Sequence, residues 1–127
     1  PLICYEIIYS GKLSDSSDFN LIINISEDGW FGKSIGPYQH FTHSIFRAIE
    51  EGKSVIRSSN NGISAVIDPK GKIIKIVEST EGSVLKVKNF KKLKESTFFS
   101  TYGRNNIFFY LMAIYISLIF FFKRTGR

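Results

Sequence analysis

An uncharged apolar run near the C-terminus limits most strongly what this chain can fold into. Residues 107–122 carry no charged side chain and are apolar on every helical face, whereas a core helix of a small domain keeps a polar stripe. Adding residues 103–106 brings the run close to the roughly 20 residues that span a bilayer. Lys123 and Arg124 then end it abruptly. We therefore predict a transmembrane helix at 107–122.

This helix divides the chain into four predicted parts. Residues 1–100 are long enough for one folded domain, 101–106 form a juxtamembrane linker, and 123–127 form a basic tail. The positive-inside rule holds that tail in the cytoplasm, so the domain lies outside the cytoplasm. The first residue is not Met and sits within a predicted strand, so we expect the C-terminal part of a longer protein.

Charge and metal-ligand patterns exclude several classes of partner. The net charge is +6, but the lysines are scattered and form no basic helix with interleaved aromatic residues, so no nucleic-acid partner is predicted. The basic stretch at 86–94 is either a solvated strand edge or a patch facing anionic lipid headgroups. His40 and His43 lack a third ligand and are interpreted as surface or capping histidines. No metal or cofactor is predicted.

Short apolar runs separated by turn residues predict an α/β domain. A helix begins at Pro37 and ends at Gly52, residues 68–71 form a hairpin turn, and 7–17 form a short helix or loop. The strand at 19–25 is apolar enough to be covered on both faces. The further predicted strands are 54–58, 63–67, 73–77 and 83–87.

The single cysteine is the main candidate for chemistry. Cys4 follows a short apolar strand, whose rigid end and following turn can present a thiol beside backbone N–H groups. The alternative is a buried thiol that packs as a small hydrophobic group. Glu6 is either an active-site carboxylate or a solvated one, and it meets Cys4 only if the chain turns at Tyr5.

An aromatic loop and a glycosylation sequon also have more than one interpretation. Trp30 and Phe31 lie in a glycine-flanked loop and either fill the core, line a pocket or face lipid. Asn24 begins a glycosylation sequon, but we discount it because it lies inside a predicted buried strand.

The order of these motifs resembles the C-terminal half of the nitrilase-type domain of bacterial apolipoprotein N-acyltransferases, and the terminal apolar helix fits the same family. The resemblance is carried by residues 1–6 (PLICYE), 21–26 (LIINIS), 28–32 (DGWFG), 34–40 (SIGPYQH), 47–48 (RA), 55–57 (VIR) and 61–69 (NGISAVIDP). Glu27 and Gly29 depart from the family's usual asparagine and alanine.

The resemblance implies a fold and a set of residue roles. The fold is the C-terminal half of a nitrilase-like α-β-β-α sandwich, and the family's triad is Glu-Lys-Cys. Cys4 would be the nucleophile, Tyr5 would offer its backbone N–H to the oxyanion, and Glu6 would be an additional carboxylate. The glutamate base and the lysine are expected before Cys4 in sequence, so we expect this chain alone to be inactive.

The resemblance also implies a reaction and a location. Such enzymes take an acyl chain from a phospholipid as a cysteine thioester and transfer it to the N-terminal amino group of a diacylglyceryl-cysteine apolipoprotein. They lie in the bacterial inner membrane with the catalytic domain on the periplasmic side. Two alternatives remain open: an amidase-type enzyme acting on small C–N bonds, and a non-enzymatic membrane-tethered α/β module with an inert Cys4.

Overall fold

One sheet organises the folded part of the chain. The computed structural model describes residues 1–11, 13–14, 18–78 and 82–125, without the side chains of residues 78, 104 and 105. Within them, the strands are β1 (Leu2–Ile3), β2 (Leu21–Glu27), β3 (Ser54–Asn60), β4 (Ile63–Ile67) and β5 (Ile73–Glu78). They lie side by side in this order; β1 to β3 are parallel neighbours, and β3 to β5 are antiparallel neighbours.

A single amphipathic helix covers one face of this sheet. Helix α1 (Gly36–Glu51) has Pro37 in its first turn and ends at Gly52, whose φ of 64° suits a residue without a Cβ. Both helix boundaries agree with the sequence prediction. The apolar core beneath the helix consists of Leu2, Ile7, Ile22, Phe41, Ala48, Val55, Ile63, Ala65 and Ile67.

The opposite face of the sheet is uncovered among the residues described. Along β2, Ile22, Asn24 and Ser26 are buried, and they alternate with Ile23 and Ile25, which are 41% and 57% exposed. Among the described residues this strand is therefore covered on one face only, and its predicted coverage on both faces stays a prediction. The reason is that α1 supplies only one layer, and no other described element packs on the second face.

Most of the predicted strands are present, and one is not. The strands predicted at 54–58, 63–67 and 73–77 correspond to β3, β4 and β5, and the hairpin turn forms around Asp68. The predicted edge strand at 83–87 is wrong. The described backbone of that segment pairs with no strand. The side chain of Lys75 in β5 donates a hydrogen bond from Nζ to the Lys86 carbonyl oxygen. Val84, at 95% exposed, has no apolar surface to pack on.

A long helix follows the sheet. Helix α2 (Phe98–Thr125) is interrupted at Gly103, whose φ of 70° and ψ of 165° are not helical. The part from Asn106 to Thr125, 20 residues, is long and apolar enough to cross a membrane, and none of it is buried against the domain. The α/β class and the apolar C-terminal helix are thus confirmed. Residues 12, 15–17, 79–81, 126 and 127, which belong to predicted segments, lie outside the described residues.

Candidate active site

The candidate site lies where the parallel strands end. Ile3 pairs with Ile25 and Glu27 pairs with Asn60, so β1, β2 and β3 all run towards one edge of the sheet. Cys4 follows β1 directly, and Asp28 follows β2. Carboxyl ends of parallel strands are where α/β sheets commonly bind ligands, since the loops that follow converge there.

Cys4 begins a tight turn rather than continuing the strand. Residues Cys4–Ile8 form one 3₁₀ turn, called the Cys4 turn below, and Cys4 has a φ of 47°. A positive φ is uncommon for a residue with a Cβ and is found where surrounding contacts enforce it, often at functional sites. Glu6 Oε2 accepts the Ile3 N–H at 2.6 Å. The chain thus turns at Cys4. The sequence pattern required a turn at Tyr5, one residue later, for Cys4 and Glu6 to meet.

The thiol is half-buried and lies against polar atoms of β2. Its Sγ is 3.8 Å from Ser26 Oγ and 3.9 Å from the Glu27 carbonyl oxygen. An inert cysteine used for packing is normally surrounded by apolar side chains. Cys4 instead lies on a strained turn, partly open to solvent and beside polar atoms.

A buried polar cluster lies directly behind the Cys4 turn. Asp28 accepts hydrogen bonds from Ser26 Oγ at 2.8 Å and from Arg57 Nη2 at 2.7 Å, and its Oδ1 lies 2.8 Å from His40 Nδ1. Arg57 also bonds Asn24 Oδ1 and the Ile63 carbonyl. Asn24, Asp28, His40 and Arg57 are all buried, and we call them the buried polar cluster.

The cluster keeps its carboxylate ionised. Burial is the largest influence on Asp28 and opposes ionisation. The nearby Ser59 hydroxyl, the hydrogen bonds from Ser26 and Arg57, and the positive charge of Arg57 outweigh it and lower the pKa of Asp28. A buried carboxylate and guanidinium that satisfy one another in this way are stable as a pair, whereas either one alone is not.

None of these four residues was predicted from the sequence as part of a site. His40 was interpreted as a surface or capping histidine, and this is wrong, because it is buried between the Cys4 turn and Asp28. Asn24 is fully buried, which agrees with discounting its sequon. The available signal was the presence of Asn24 and Arg57 inside otherwise apolar strands, since buried polar side chains need partners.

Aromatic rings cover the outer side of the Cys4 turn. The Tyr5 ring stacks on the His40 ring, with centroids 5.1 Å apart and planes at 23°. Trp30 and Phe31 approach Tyr5 with centroid distances of 5.7 Å and 6.1 Å. Trp30 is 67% exposed, so of the open alternatives for this loop the core-filling one is wrong for Trp30. The aromatic loop instead forms a surface beside Cys4.

Glu27 and Gly29, the two departures from the family pattern, are in direct contact. The Glu27 carboxylate accepts the Asn60 side-chain amide and the Gly29 N–H at 2.7 Å, and these two hydrogen bonds lower its pKa. A Cβ at position 29 would lie 2.6 Å from Glu27 Oε1 and 2.9 Å from Asn61 Nδ2. Glycine at 29 is therefore matched to glutamate at 27.

His43 does not share a site with His40. It is half-buried one turn further along α1, and burial, followed by the charges of Arg47 and His40, lowers its pKa. In the described part of the chain, no group of three or more His, Cys, Asp or Glu side chains could hold a metal ion.

The fold and the site together define an α/β domain that presents a cysteine on a strained turn at the carboxyl edge of its sheet. The family model described as carbon-nitrogen hydrolase matches residues 1–88, and the chain belongs to that family.

Comparison with curated proteins agrees with the resemblance found in the motifs. The chain is 43% identical to the apolipoprotein N-acyltransferase of Rickettsia bellii over 120 residues, which cover 94% of this chain and 24% of that protein. It is 38% identical to that of Photobacterium profundum over 130 residues, covering 100% and 25%. The match to that of Agrobacterium fabrum is 55% over 75 residues, covering 58% and 14%. The chain thus spans about a quarter of the first two relatives.

Proposed function

We propose that this chain is the part of a membrane-bound N-acyltransferase that carries the nucleophile and acylates lipoproteins. The observation that carries the proposal is the half-exposed Cys4 thiol on its strained turn, in a chain similar to apolipoprotein N-acyltransferases. The acyl donor would be a phospholipid, and the acceptor would be the N-terminal amino group of a diacylglyceryl-cysteine apolipoprotein.

The proposed reaction has two acyl transfers. In the first, a base removes the thiol proton, the Cys4 sulfur attacks an ester carbonyl, and a C–S bond replaces the C–O bond. The lysophospholipid leaves as an alcohol after taking up the proton. In the second, the acceptor amine attacks the thioester, the C–S bond breaks, and an amide forms while the thiol regains a proton. No metal or redox cofactor is needed to balance either step.

Tyr5 and Glu6 receive supporting roles. The Tyr5 N–H lies in the first turn of a 3₁₀ helix, where N–H groups have no acceptor within the helix, so it is suited to donate to the oxyanion. Glu6 accepts the Ile3 N–H, which supports a role in shaping the turn that carries Cys4. We assign Glu6 as the additional carboxylate of the site.

The remaining part of the same protein would complete the site. The family's glutamate base and lysine would come from it, so the present chain would be inactive by itself. The sheet face that bears the exposed Ile3, Ile23 and Ile25 supports this proposal, because apolar surface of this kind is normally covered. The relatives' greater length supports it as well.

We further propose a location and domain limits. The apolar helix supports a membrane-bound protein, and we place it in the bacterial inner membrane with the catalytic domain on the periplasmic side. The domain would comprise residues 1–100, the juxtamembrane linker 101–106, the membrane span 107–122, and the cytoplasmic tail 123–127.

Intact mass of the full-length protein after incubation with phospholipid tests this function. We expect an added acyl mass that hydroxylamine removes, present in the wild type and absent from a Cys4→Ala variant. Addition of a diacylglyceryl-cysteine peptide should discharge the adduct and yield an acylated peptide. A Ser10→Ala variant, altered just beyond the Cys4 turn, serves as the control and should form the adduct normally.

Each negative result identifies a different alternative. If no adduct forms but Cys4 is rapidly alkylated, the acyltransferase proposal fails and an amidase-type reaction becomes the better explanation. If no adduct forms and the thiol resists alkylation in the folded protein, the non-enzymatic alternative is favoured.

A further inference from the structure

The strained conformation of Cys4 is held by hydrogen bonds to its own carbonyl group. His40 Nε2 lies 3.3 Å from the Cys4 carbonyl oxygen, and Asn24 Nδ2 donates to the same oxygen at 3.4 Å. Asn24 Nδ2 also donates to the Leu2 carbonyl at 3.2 Å. Because a carbonyl oxygen only accepts, these contacts fix the orientation of the Cys4 peptide and with it the direction of the side chain.

Helix α1 holds both ends of the Cys4 turn. His40 contacts the carbonyl of Cys4 at its start, and Arg47 Nη1 donates to the carbonyl of Ile8 at its end, at 3.3 Å. Seven residues are about two turns of an α-helix, so His40 and Arg47 lie on one face of α1. The helix therefore acts as a rigid support along the length of the turn.

His40 is itself fixed on two sides. Its Nδ1 lies 2.8 Å from Oδ1 of Asp28, whose other oxygen accepts from Arg57 Nη2 at 2.7 Å, and the Tyr5 ring stacks on its face. The ring is buried and therefore cannot follow a displaced turn without breaking these contacts. Second-sphere contacts of this kind determine how accurately a reactive group is placed.

We propose that His40 is a positioning residue for the Cys4 nucleophile, acting from Nε2 through the Cys4 carbonyl group, with Asp28 and Arg57 fixing its ring. It does not touch the reacting sulfur. The effect of His40 on the rate of acyl transfer rests on the proposed function. Its effect on the reactivity of the Cys4 thiol does not depend on that function.

Two near-isosteric variants of the full-length protein separate positioning from general stabilisation. His40→Gln keeps a donor near the place of Nε2 and loses the Nδ1 contact with Asp28. His40→Asn keeps the contact with Asp28 and loses the one with Cys4. We expect His40→Asn to lower the rate of Cys4 alkylation by iodoacetamide, followed by peptide mass mapping, by about tenfold or more, and His40→Gln by less than about threefold.

The same rank order should appear in the acylation rate, with a fall in kcat and little change in KM for the phospholipid. A merely structural role predicts the reverse order, because His40→Gln disturbs Asp28 and His40→Asn does not. Equal rates in both variants, or the reverse order, would overturn the proposal. If the two variants differ in alkylation rate as expected but the wild type forms no acyl adduct, the positioning role of His40 is supported and only the acyltransferase function is rejected.

A second variant keeps the proposal testable if the His40 variants do not fold. Asn24→Asp leaves a carboxylate beside Arg57 but replaces the donor that faces the Cys4 and Leu2 carbonyl groups with an acceptor. The displaced Cys4 carbonyl should lower the alkylation rate about tenfold in folded protein. An unchanged rate would show that anchoring this carbonyl does not position the thiol, and the proposal would be rejected.

Discussion

Neutralising Asp28 should destabilise the protein severely although it removes only one charge. In an Asp28→Asn variant the side chain keeps its size, but the guanidinium of Arg57, which is 1% exposed, loses its counter-charge. A buried charge left without its partner is strongly unfavourable because the protein interior solvates it poorly. The variant therefore tests whether the buried polar cluster is held together by this pair.

The expected magnitude follows from the contacts of Asp28. Loss of one partner of a buried ion pair costs about 3–5 kcal/mol of unfolding free energy. A count of contacts checks the same loss: Asp28 has contacts with Ser26, His40 and Arg57, and weakening each of these three contacts costs about 1 kcal/mol or more. The two estimates agree on a loss of about 3–5 kcal/mol, which is a large part of a typical domain's stability.

Thermal unfolding of the full-length protein in detergent measures this loss. We expect the Tm of Asp28→Asn to fall by about 10 °C, and that of the control Asp68→Asn, a partly exposed turn carboxylate, by about 3 °C or less. An Arg57→Met change added to Asp28→Asn should recover part of the loss, because it removes the unpaired charge. Equal losses for Asp28→Asn and Asp68→Asn, or strictly additive losses in the double variant, would refute the reasoning.

Three further predictions address acid stability, loop packing and the membrane helix. The pKa of Asp28 in the folded protein lies below its ordinary value of 3.8, so its contribution to stability is complete above that value and is lost as pH falls through the lower folded pKa. In acid unfolding curves, Asp28→Asn should therefore lose stability less steeply than the wild type below about pH 4. Gly29→Ala should lower stability by about 1 kcal/mol in thermal unfolding, and by less than half of that in a Glu27→Asn background, because its Cβ meets the Glu27 carboxylate; equal losses in both backgrounds would contradict this. Leu118→Arg should disfavour insertion of the 106–125 segment in a host membrane protein by about 3–4 kcal/mol, whereas Thr125→Arg at the segment's end should have little effect.

Local patterns in the sequence determined the elements of this fold. Helix α1 lies between a first-turn proline and a terminal glycine, and both signals act through the backbone of one or two residues. The hairpin around Asp68 forms because a short side chain can bond its own backbone. The segment at 83–87 shows the limit of such patterns, since alternation describes a half-buried surface but cannot supply the strand that must pair with it.

The sequence also identified the candidate thiol but not what surrounds it. Cys4 could be selected because it is the only thiol and follows a short strand, and the ordered motifs made the family resemblance specific. His40 and Arg57 were missed because each stands alone in its own segment, 17 residues apart, and neither has a partner within reach along the chain. Their common partner Asp28 becomes visible only when β2, β3 and α1 meet.

The sequence by itself thus determined the α/β class, the apolar C-terminal helix and the candidate thiol, because each depends on residue type and on spacing within one segment. Only the tertiary structure decided that Cys4 adopts a positive φ and that His40, held by Asp28 and Arg57, contacts its carbonyl group. The physical reason is that a strained backbone and a buried charge are unfavourable locally. Contacts between segments distant in the chain stabilise them, and such contacts form only when the sheet and helix pack together.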